Sequence, residues 1–171
     1  VLDLLPIFKP KTVVGHAGYD FRRHWYFKDK WLANSLESWH WFGQHIQAAG
    51  AQLMLENVYE HGPEEIVPLL TGLNRQGVKF CLDTGHQAVF GQVPLKKWIA
   101  VLGPYIGQLH LHDNNGSLDE HLALGQGGID FAFLLDQVKK ILDRPPVVTL
   151  EIRTAEDLQA SISFLKSIWP W

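Results

Sequence analysis

The sequence predicts an α/β protein built on a parallel sheet, and two observations lead to this prediction. Five short apolar runs alternate with helix-like segments, which is the pattern of right-handed strand–helix–strand units. Each run ends in a residue that can bind a metal, and these residues are His16, Glu56, Asp83, His110 and Glu151. Because parallel strands end at the same edge of a sheet, we expect the five side chains to converge there.

The elements follow from periodicity and from capping signals. Strands are predicted at residues 12–16, 52–56, 78–83, 106–110 and 147–151. An irregular aromatic loop at residues 19–31 follows the first strand, and Asn34 or Ser35 then caps a helix that runs through Ala49. Proline or a capping side chain marks the start of the other helices, at Pro63, Pro94, Asp130 and Thr154.

The composition narrows the class of protein. With 171 residues and 46% hydrophobic content, the chain can bury a core as one domain. The formal charge of −3 disfavours a non-specific nucleic-acid binder. Cys81 is the only cysteine, so no intramolecular disulfide can form, and a cytoplasmic location is expected. No segment is long and apolar enough to cross a membrane, and residues 1–6 lack the features of a signal peptide.

Four of the strand-end residues predict a metal site. Glu56, Asp83, His110 and Glu151 would gather three carboxylates and one imidazole in a partly dry pocket. Such carboxylates repel one another unless a cation neutralises them, so the set favours a divalent metal. Oxygen ligands suit Mn²⁺ or Mg²⁺, and added imidazoles favour Zn²⁺. Additional ligands could come from His16, His86, Asp119 and His121.

Each candidate also has a structural interpretation. A carboxylate at a strand end can cap the following helix, and His16 can be a hydrogen-bonded core or loop residue. Cys81 is interpreted as a small buried hydrophobic residue. Arg22 and Arg23 could bind a phosphate or a nucleobase as a substrate loop, or belong to a solvated loop. The glycine-rich turn at 125–128 lacks the Lys-Ser/Thr of a phosphate-binding loop.

Six motifs occur in an order that resembles a known superfamily. They are Leu55-Glu56-Asn57, Cys81-Leu82-Asp83-Thr84-Gly85-His86, His110-Leu111-His112-Asp113-Asn114, Asp119-Glu120-His121, Gly125-x-Gly127 and Leu150-Glu151. From about residue 11 to residue 154, the chain resembles the xylose-isomerase-like TIM-barrel superfamily. That superfamily contains sugar and sugar-phosphate isomerases and epimerases, and also family-2 AP endonucleases of the endonuclease IV type. The motif set is specific for the superfamily and much less specific for the reaction.

The resemblance assigns roles to the candidate residues. Similarity to the sugar epimerases implies one divalent metal (Mn, Mg or Zn), with a substrate contact from His86. The four implied ligands of that metal are Glu56, Asp83, His110 and Glu151. Similarity to the endonucleases instead implies a zinc cluster, and its additional ligands would be His16, His86, Asp119 and His121.

Two positions depart from the patterns of these relatives. His112 is at a position where the endonuclease pattern has Asn, and it remains a further candidate for metal or substrate binding. Gly116 is where some ketose epimerases have a substrate-binding Arg, which disfavours ketose 3-epimerase specificity.

The resemblance also implies an α/β fold of the (βα) TIM-barrel type. The family barrel has eight strands, and this chain is expected to supply strands four to eight with their helices, as a partial barrel. Residues 1–171 would then be the C-terminal portion of one domain whose first three βα units are missing. Because open sheet edges promote aggregation, self-association or a partner chain is expected to cover them.

Three functions are compatible with these residues, and the first is favoured. A sugar or sugar-phosphate isomerase or epimerase would bind a small-molecule sugar at its metal, and Glu56 and Glu151 would transfer a proton next to the carbonyl through a metal-bound enediolate. The alternative is an AP endonuclease, whose zinc cluster cleaves abasic DNA held by the basic patch at Arg22, Arg23 and Lys28. The third possibility is a non-catalytic chain that keeps the fold.

Overall fold

The predicted strands form one parallel sheet in the computed structural model, which describes residues 1–171. The strands lie side by side in chain order. Their bounds are Thr12–His16 (β1), Gln52–Glu56 (β2), Lys79–Asp83 (β3), Ile106–Leu111 (β4) and Val147–Leu150 (β5). The sheet is a curled half-barrel with helices, which confirms the predicted fold class of a partial TIM barrel.

Eight α-helices and five short 3-10 helices connect the strands. The α-helices are Leu5–Phe8 (α1), Phe21–His24 (α2), Lys28–Ala48 (α3), Val67–Gly72 (α4), Thr84–Phe90 (α5), Leu95–Leu102 (α6), Phe131–Ile141 (α7) and Ala155–Ile168 (α8). The 3-10 helices are Leu2–Leu4, Trp25–Phe27, Pro63–Glu65, Asn74–Gln76 and Gly103–Tyr105. None of the helices has the length and apolar character needed to cross a bilayer.

Three of the predicted helix starts are confirmed. Asp130 caps α7 by accepting a hydrogen bond from the backbone N–H of Phe133 at 2.9 Å. Thr154 caps α8 in the same way, from the N–H of Asp157 at 3.1 Å. Pro94 directly precedes α6. The caps at Asp130 and Thr154 each satisfy a backbone N–H donor that the first helical turn leaves free.

The helix before β2 differs from the prediction. α3 begins well before the expected capping residues Asn34 and Ser35, and α2 occupies part of the segment predicted to be an irregular loop. The Trp31 ring packs against Tyr19 at 4.9 Å between centroids, and its indole N–H donates to the carbonyl of Gly18 at 3.2 Å. These tertiary contacts extend the helix beyond the start that local capping signals indicate.

The two faces of the sheet have different roles. The outer face packs on the helices and carries the apolar side chains of the core, namely Leu53, Leu55, Phe80, Leu82, Leu109 and Leu111. Leu69, Leu70, Trp98 and Leu135 complete this core from the helix layer. The inner face carries the residues that alternate with them, as the two-residue period of a strand requires, and these include Met54 and Cys81 beside the polar candidates.

An irregularity in β4 determines which of its side chains face inward. Ile106 and Gln108 are opposite consecutive residues of β3, so Gly107 is the extra residue of a bulge. After the bulge, His110 and His112 occupy the same inner face, as predicted from their spacing.

Candidate metal centre

The carboxyl ends of β2 to β5 bring three carboxylates and one imidazole together. The Nδ1 atom of His110 lies 2.8 Å from Glu151 Oε1 and 3.5 Å from Glu56 Oε2. Asp83 is opposite His110 in the pairing of β3 with β4. One ligand atom each from Asp83, His110 and Glu151 lie within 4.8 Å of one another. The four residues predicted as a ligand set are therefore neighbours.

Two buried atoms in this group have no hydrogen-bond partner. They are Oδ2 of Asp83 and Nδ1 of His110. The His110 nitrogen lies 2.8 Å from Glu151 Oε1 without the geometry of a hydrogen bond. Buried acceptors without a donor are costly, and carboxylate oxygens with an imidazole nitrogen are suitable ligands for a divalent cation. The residues therefore fit such an ion.

Gln108 contacts the opposite edge of the His110 ring. Its amide nitrogen lies 3.0 Å from His110 Nε2 and 3.1 Å from the hydroxyl of Thr149, whereas its buried oxygen has no partner. Turning the amide by 180° would let this oxygen accept hydrogen bonds from both groups. The His110 Nε2 would then carry the proton, and Nδ1 would be free to bind a cation.

A second group of donors lies beside the first. His86 connects the two groups, since its Nδ1 is 3.3 Å from Glu56 Oε1 and its Nε2 is 3.5 Å from Asp119 Oδ2. The Nε2 of His121 is 3.4 Å from the same Asp119 oxygen. The structure thus brings together four of the five additional candidates, and the fourth, His112, is buried next to Asp83.

The loop after β4 carries Asp119 and His121, and Asp113 holds it in place. The buried Asp113 carboxylate accepts four backbone N–H groups, from Asn114, Gly125, Gly127 and Ile129, at 2.9 to 3.1 Å. His121 adopts a left-handed backbone conformation with φ of 55°, which is unfavourable for a residue with a side chain. Its Nδ1 lies 2.8 Å from the carbonyl oxygen of Glu151, which ties the loop to the end of β5.

Three predicted residues lie at the edge of the group or outside it. His16 is two-thirds exposed, and its Nε2 is 3.9 Å from Glu56 Oε2. Arg22 and Arg23 are both paired with Asp20, at 3.2 and 3.5 Å. The Arg22 guanidinium also lies 5.6 Å above the ring of Tyr59. The two arginines therefore already have an anionic partner.

The contacts within the group shift several pKa values. Burial favours the neutral form of Glu56, but its contacts with His110 and His86 outweigh this effect and lower its pKa to about 2. Burial likewise opposes the charge on His86, yet the neighbouring Glu56 and Asp83 raise its pKa to about 9. The contact with His110 lowers the pKa of Glu151. The neighbouring histidines thus hold Glu56 and Glu151 in their ionised forms, and a divalent cation could supply the same positive charge.

The sequence as a whole identifies the family. The model of the xylose isomerase-like TIM barrel family matches residues 7–168. The chain belongs to this family. Membership confirms the resemblance that the ordered motifs predicted, and it agrees with the parallel strand order.

Proteins similar to this chain have been found by sequence and by structure. The uncharacterized protein MJ1614 of Methanocaldococcus jannaschii is 29% identical over 175 residues, which cover 98% of this chain and 65% of that protein. The TTHB071 protein from Thermus thermophilus, soaked with ZnCl₂, is 28% identical with a TM-score of 0.80 and coverages of 98% and 64%. A D-tagatose 3-epimerase-like protein is 24% identical with a TM-score of 0.83 and coverages of 98% and 65%. The chain spans less than two thirds of the length of each.

Sequence reasoning missed the residues of this family member that support the candidate ligands. Asn57 donates to the carbonyl of Asp83 at 2.9 Å and accepts from its N–H at 3.0 Å. Gln108 and Asp113 are both buried. Gln108 contacts the candidate ligand His110, and Asp113 holds the loop that carries Asp119 and His121. Each lies one to three residues from a predicted ligand, so adjacency in sequence was a usable signal. Their partners, however, lie on other strands and loops.

Proposed function

We propose that the chain is part of a divalent-metal-dependent sugar or sugar-phosphate isomerase or epimerase. The observation that carries the proposal is the set of three carboxylates and one imidazole at the ends of β2 to β5, in which the buried atoms Asp83 Oδ2 and His110 Nδ1 have no partner. Support also comes from the fold of a D-tagatose 3-epimerase-like protein and from the ZnCl₂-soaked TTHB071 protein.

The proposed cation ligands are Glu56, Asp83, His110 and Glu151. A divalent cation held by them would act as a Lewis acid on a carbonyl oxygen and an adjacent hydroxyl of the sugar. Membership of the family also leads us to expect a divalent cation. The donor set fits one, because three oxygen ligands and one imidazole suit Mn²⁺, Mg²⁺ or Zn²⁺.

Glu56 and Glu151 are the proposed proton-transfer residues. Both carboxylates approach the same nitrogen of His110, at 3.5 and 2.8 Å, so they flank one position at the end of the sheet. Glu151 Oε2 would approach a substrate C–H beside a carbonyl, and Glu56 Oε1, which lies 3.3 Å from His86 Nδ1, would exchange this contact for the substrate. One carboxylate would remove the proton from this carbon, and the other would return a proton to the neighbouring atom or to the opposite face.

His86 and His16 are the proposed contacts to substrate hydroxyls. His86 is buried between Glu56 and Asp119, and it has ring nitrogens on both sides. His16 is exposed and lies beside Glu56, so it can meet a substrate that enters from solvent. Either ring can donate a hydrogen bond to a substrate hydroxyl.

The second candidate function is zinc-dependent cleavage of abasic DNA. It is favoured by one observation, that a second set of donors lies beside the first, in which His86 and His121 approach the same oxygen of Asp119 at 3.5 and 3.4 Å. Hydrolysis by two or more metals would use such an arrangement. The pairing of Arg22 and Arg23 with Asp20 counts against this function, because these cations formed the predicted DNA-binding patch.

Metal analysis followed by two assays tests the proposal. The purified protein is loaded with Mn²⁺ or Zn²⁺, dialysed and analysed by mass spectrometry, and then incubated with ketoses in ²H₂O and with abasic duplex DNA. We expect one bound cation and deuterium incorporation next to the sugar carbonyl, and both should be lost in the Glu151→Gln variant. Three bound zinc ions with nicking of the DNA would instead support the endonuclease, and a chain that binds a cation but exchanges no proton would be non-catalytic.

A further inference from the structure

We propose that His112 is a positioning residue, which holds the Asp83 carboxylate so that its free oxygen faces the cation. The proposal rests on the proposed metal site, and it assigns His112 a role other than that of a ligand. His112 is fully buried, and its Nε2 lies 3.2 Å from Asp83 Oδ1.

The two oxygens of the Asp83 carboxylate have different hydrogen-bond partners. Oδ1 accepts from the backbone N–H of His86 at 2.7 Å and from the imidazole of His112. Oδ2 is buried and has no partner. Two donors on one oxygen fix the rotation of the carboxylate, and the other oxygen is left as the atom that can bind a cation.

The surroundings of His112 hold its ring in a single position. The ring stacks on His121, with centroids 3.8 Å apart and planes 7° apart. On another side is the backbone of Gly85, where a Cβ would overlap the imidazole. A residue with a side chain at position 85 would therefore displace His112, so Gly85 is needed for this contact.

The same geometry disfavours His112 as a ligand through Nε2, whereas its buried Nδ1 has no hydrogen-bond partner and lies 3.6 Å from Asp119 Oδ1. The nitrogen lone pairs of an imidazole lie in the plane of its ring, and the parallel planes of His112 and His121 do not converge on a shared ion. The His112 Nε2 is directed at Asp83 Oδ1, which already accepts another hydrogen bond. Through its Nε2, the His112 ring thus acts on the cation by way of Asp83.

Variants at position 112 test this role with Co²⁺ as the probe. The apparent affinity is measured by competition with a chromophoric chelator, and the visible spectrum of bound Co²⁺ reports its coordination. We expect His112→Leu to weaken Co²⁺ binding about 10- to 100-fold, as is typical for residues that orient a ligand. His112→Gln, whose amide N–H can reach Asp83, should restore most of the affinity and the wild-type spectrum. Leu111→Val, on the helix-facing side of the same strand, is the matched control and should bind as wild type does.

Three results would overturn the proposal. Wild-type affinity in His112→Leu would exclude any role for this residue in cation binding. An equal loss in the Gln and Leu variants, with a changed Co²⁺ spectrum in both, would identify His112 as a ligand. Failure of the wild-type protein to bind Co²⁺, Zn²⁺ or Mn²⁺ would instead overturn the proposed metal site itself. Circular dichroism of each metal-free variant separates these results from loss of the fold.

Discussion

At the scale of single residues, Asp83 is compatible with both roles that its sequence position suggests, a helix cap and a metal ligand. Its Oδ1 caps α5 through the N–H of His86, as a carboxylate at a strand end often does. Its Oδ2 is buried and has no partner, and one of its oxygens lies within 4.8 Å of ligand atoms of His110 and Glu151. A capping role and a binding role are therefore compatible, because they use different oxygens.

The Asp83→Asn substitution separates these two roles. Asn is a good helix cap, so we expect the free energy of unfolding of the metal-free protein to change by less than about 1 kcal/mol. Cation affinity should fall about tenfold or more. Removing a residue that only orients a ligand typically costs this much, and removing the ligand itself should cost at least as much. Calorimetric titration with Zn²⁺ and urea unfolding measure the two effects. Asp130→Asn, the cap of α7, is the control, and equal affinities in both variants would contradict the assignment.

Glu60 makes stability depend on pH. It is 1% exposed and accepts the backbone N–H groups of Val58 and Tyr19, and burial raises its pKa to about 7 from an ordinary value of 4.5. Between these two values the folded protein retains a proton that the unfolded chain has released. Stability from this group is therefore greatest at low pH and is lost as the pH rises toward 7.

The Glu60→Gln variant should remove this pH dependence. The amide can accept only one of the two N–H groups, which costs stability at every pH, but we expect the stability of the variant relative to wild type to rise by about 1–3 kcal/mol from pH 5 to pH 8. Urea unfolding at the two pH values is the measurement. Asp136→Asn is a contrasting control, since Lys140 lowers the pKa of this exposed carboxyl and no gain at pH 8 is expected. A Glu60→Gln effect that is equal at both pH values would contradict the prediction.

At the scale of elements, the loop after β4 depends on a single buried carboxylate. Asp113→Asn would leave some of its four N–H donors without an acceptor, so we expect a loss of about 2–4 kcal/mol in the free energy of unfolding. The amides of Gly125 and Gly127 should also exchange their hydrogens faster. Urea unfolding and hydrogen-exchange mass spectrometry measure these effects. Asp136→Asn is again the control, and similar behaviour of the two variants would exclude a clamping role for Asp113.

Strand periodicity and capping signals predicted the sheet, α6, α7 and α8, because these depend on neighbours in the sequence. The start of α3 was predicted wrongly, since contacts of Trp31 with distant backbone decide it. α5 was not anticipated because Gly85, a poor helix former, lies in its first turn. The β4 bulge at Gly107 and the Asp113 clamp depend on pairings between segments, which one sequence does not reveal.

The sequence predicted where the candidate site lies, but it did not determine what each of its residues does. The strand-end residues Glu56, Asp83, His110 and Glu151 lie together as expected, and their chemical roles remain predictions. The sequence could not show which candidate residues lie at the centre of the site and which lie at its edge, because their positions depend on how far the sheet curls. His16 illustrates the point, since it ends a strand as the others do but is largely exposed.

At the scale of the whole molecule, both outer strands have one unpaired edge. β1 pairs only with β2, and β5 pairs only with β4. Such edges are templates for pairing with another chain, so we expect the protein to associate reversibly as its concentration rises. Val147→Lys, at the partly exposed start of β5, should shift this equilibrium toward the monomer. The matched control is Val101→Lys on α6, which has similar exposure. Sedimentation velocity over a concentration series is the measurement, and a monomer at every concentration would contradict the expectation.

The most direct test of the central claim is a crystal structure of the protein soaked with Mn²⁺, measured with anomalous scattering. We predict one strong anomalous peak at the carboxyl end of the sheet, about 2.0–2.3 Å from Asp83 Oδ2 and His110 Nδ1, with Glu56 and Glu151 as its other protein ligands. A well-ordered structure without a peak at this position, or with a peak held by other residues, would contradict the assignment of these four residues as a metal site.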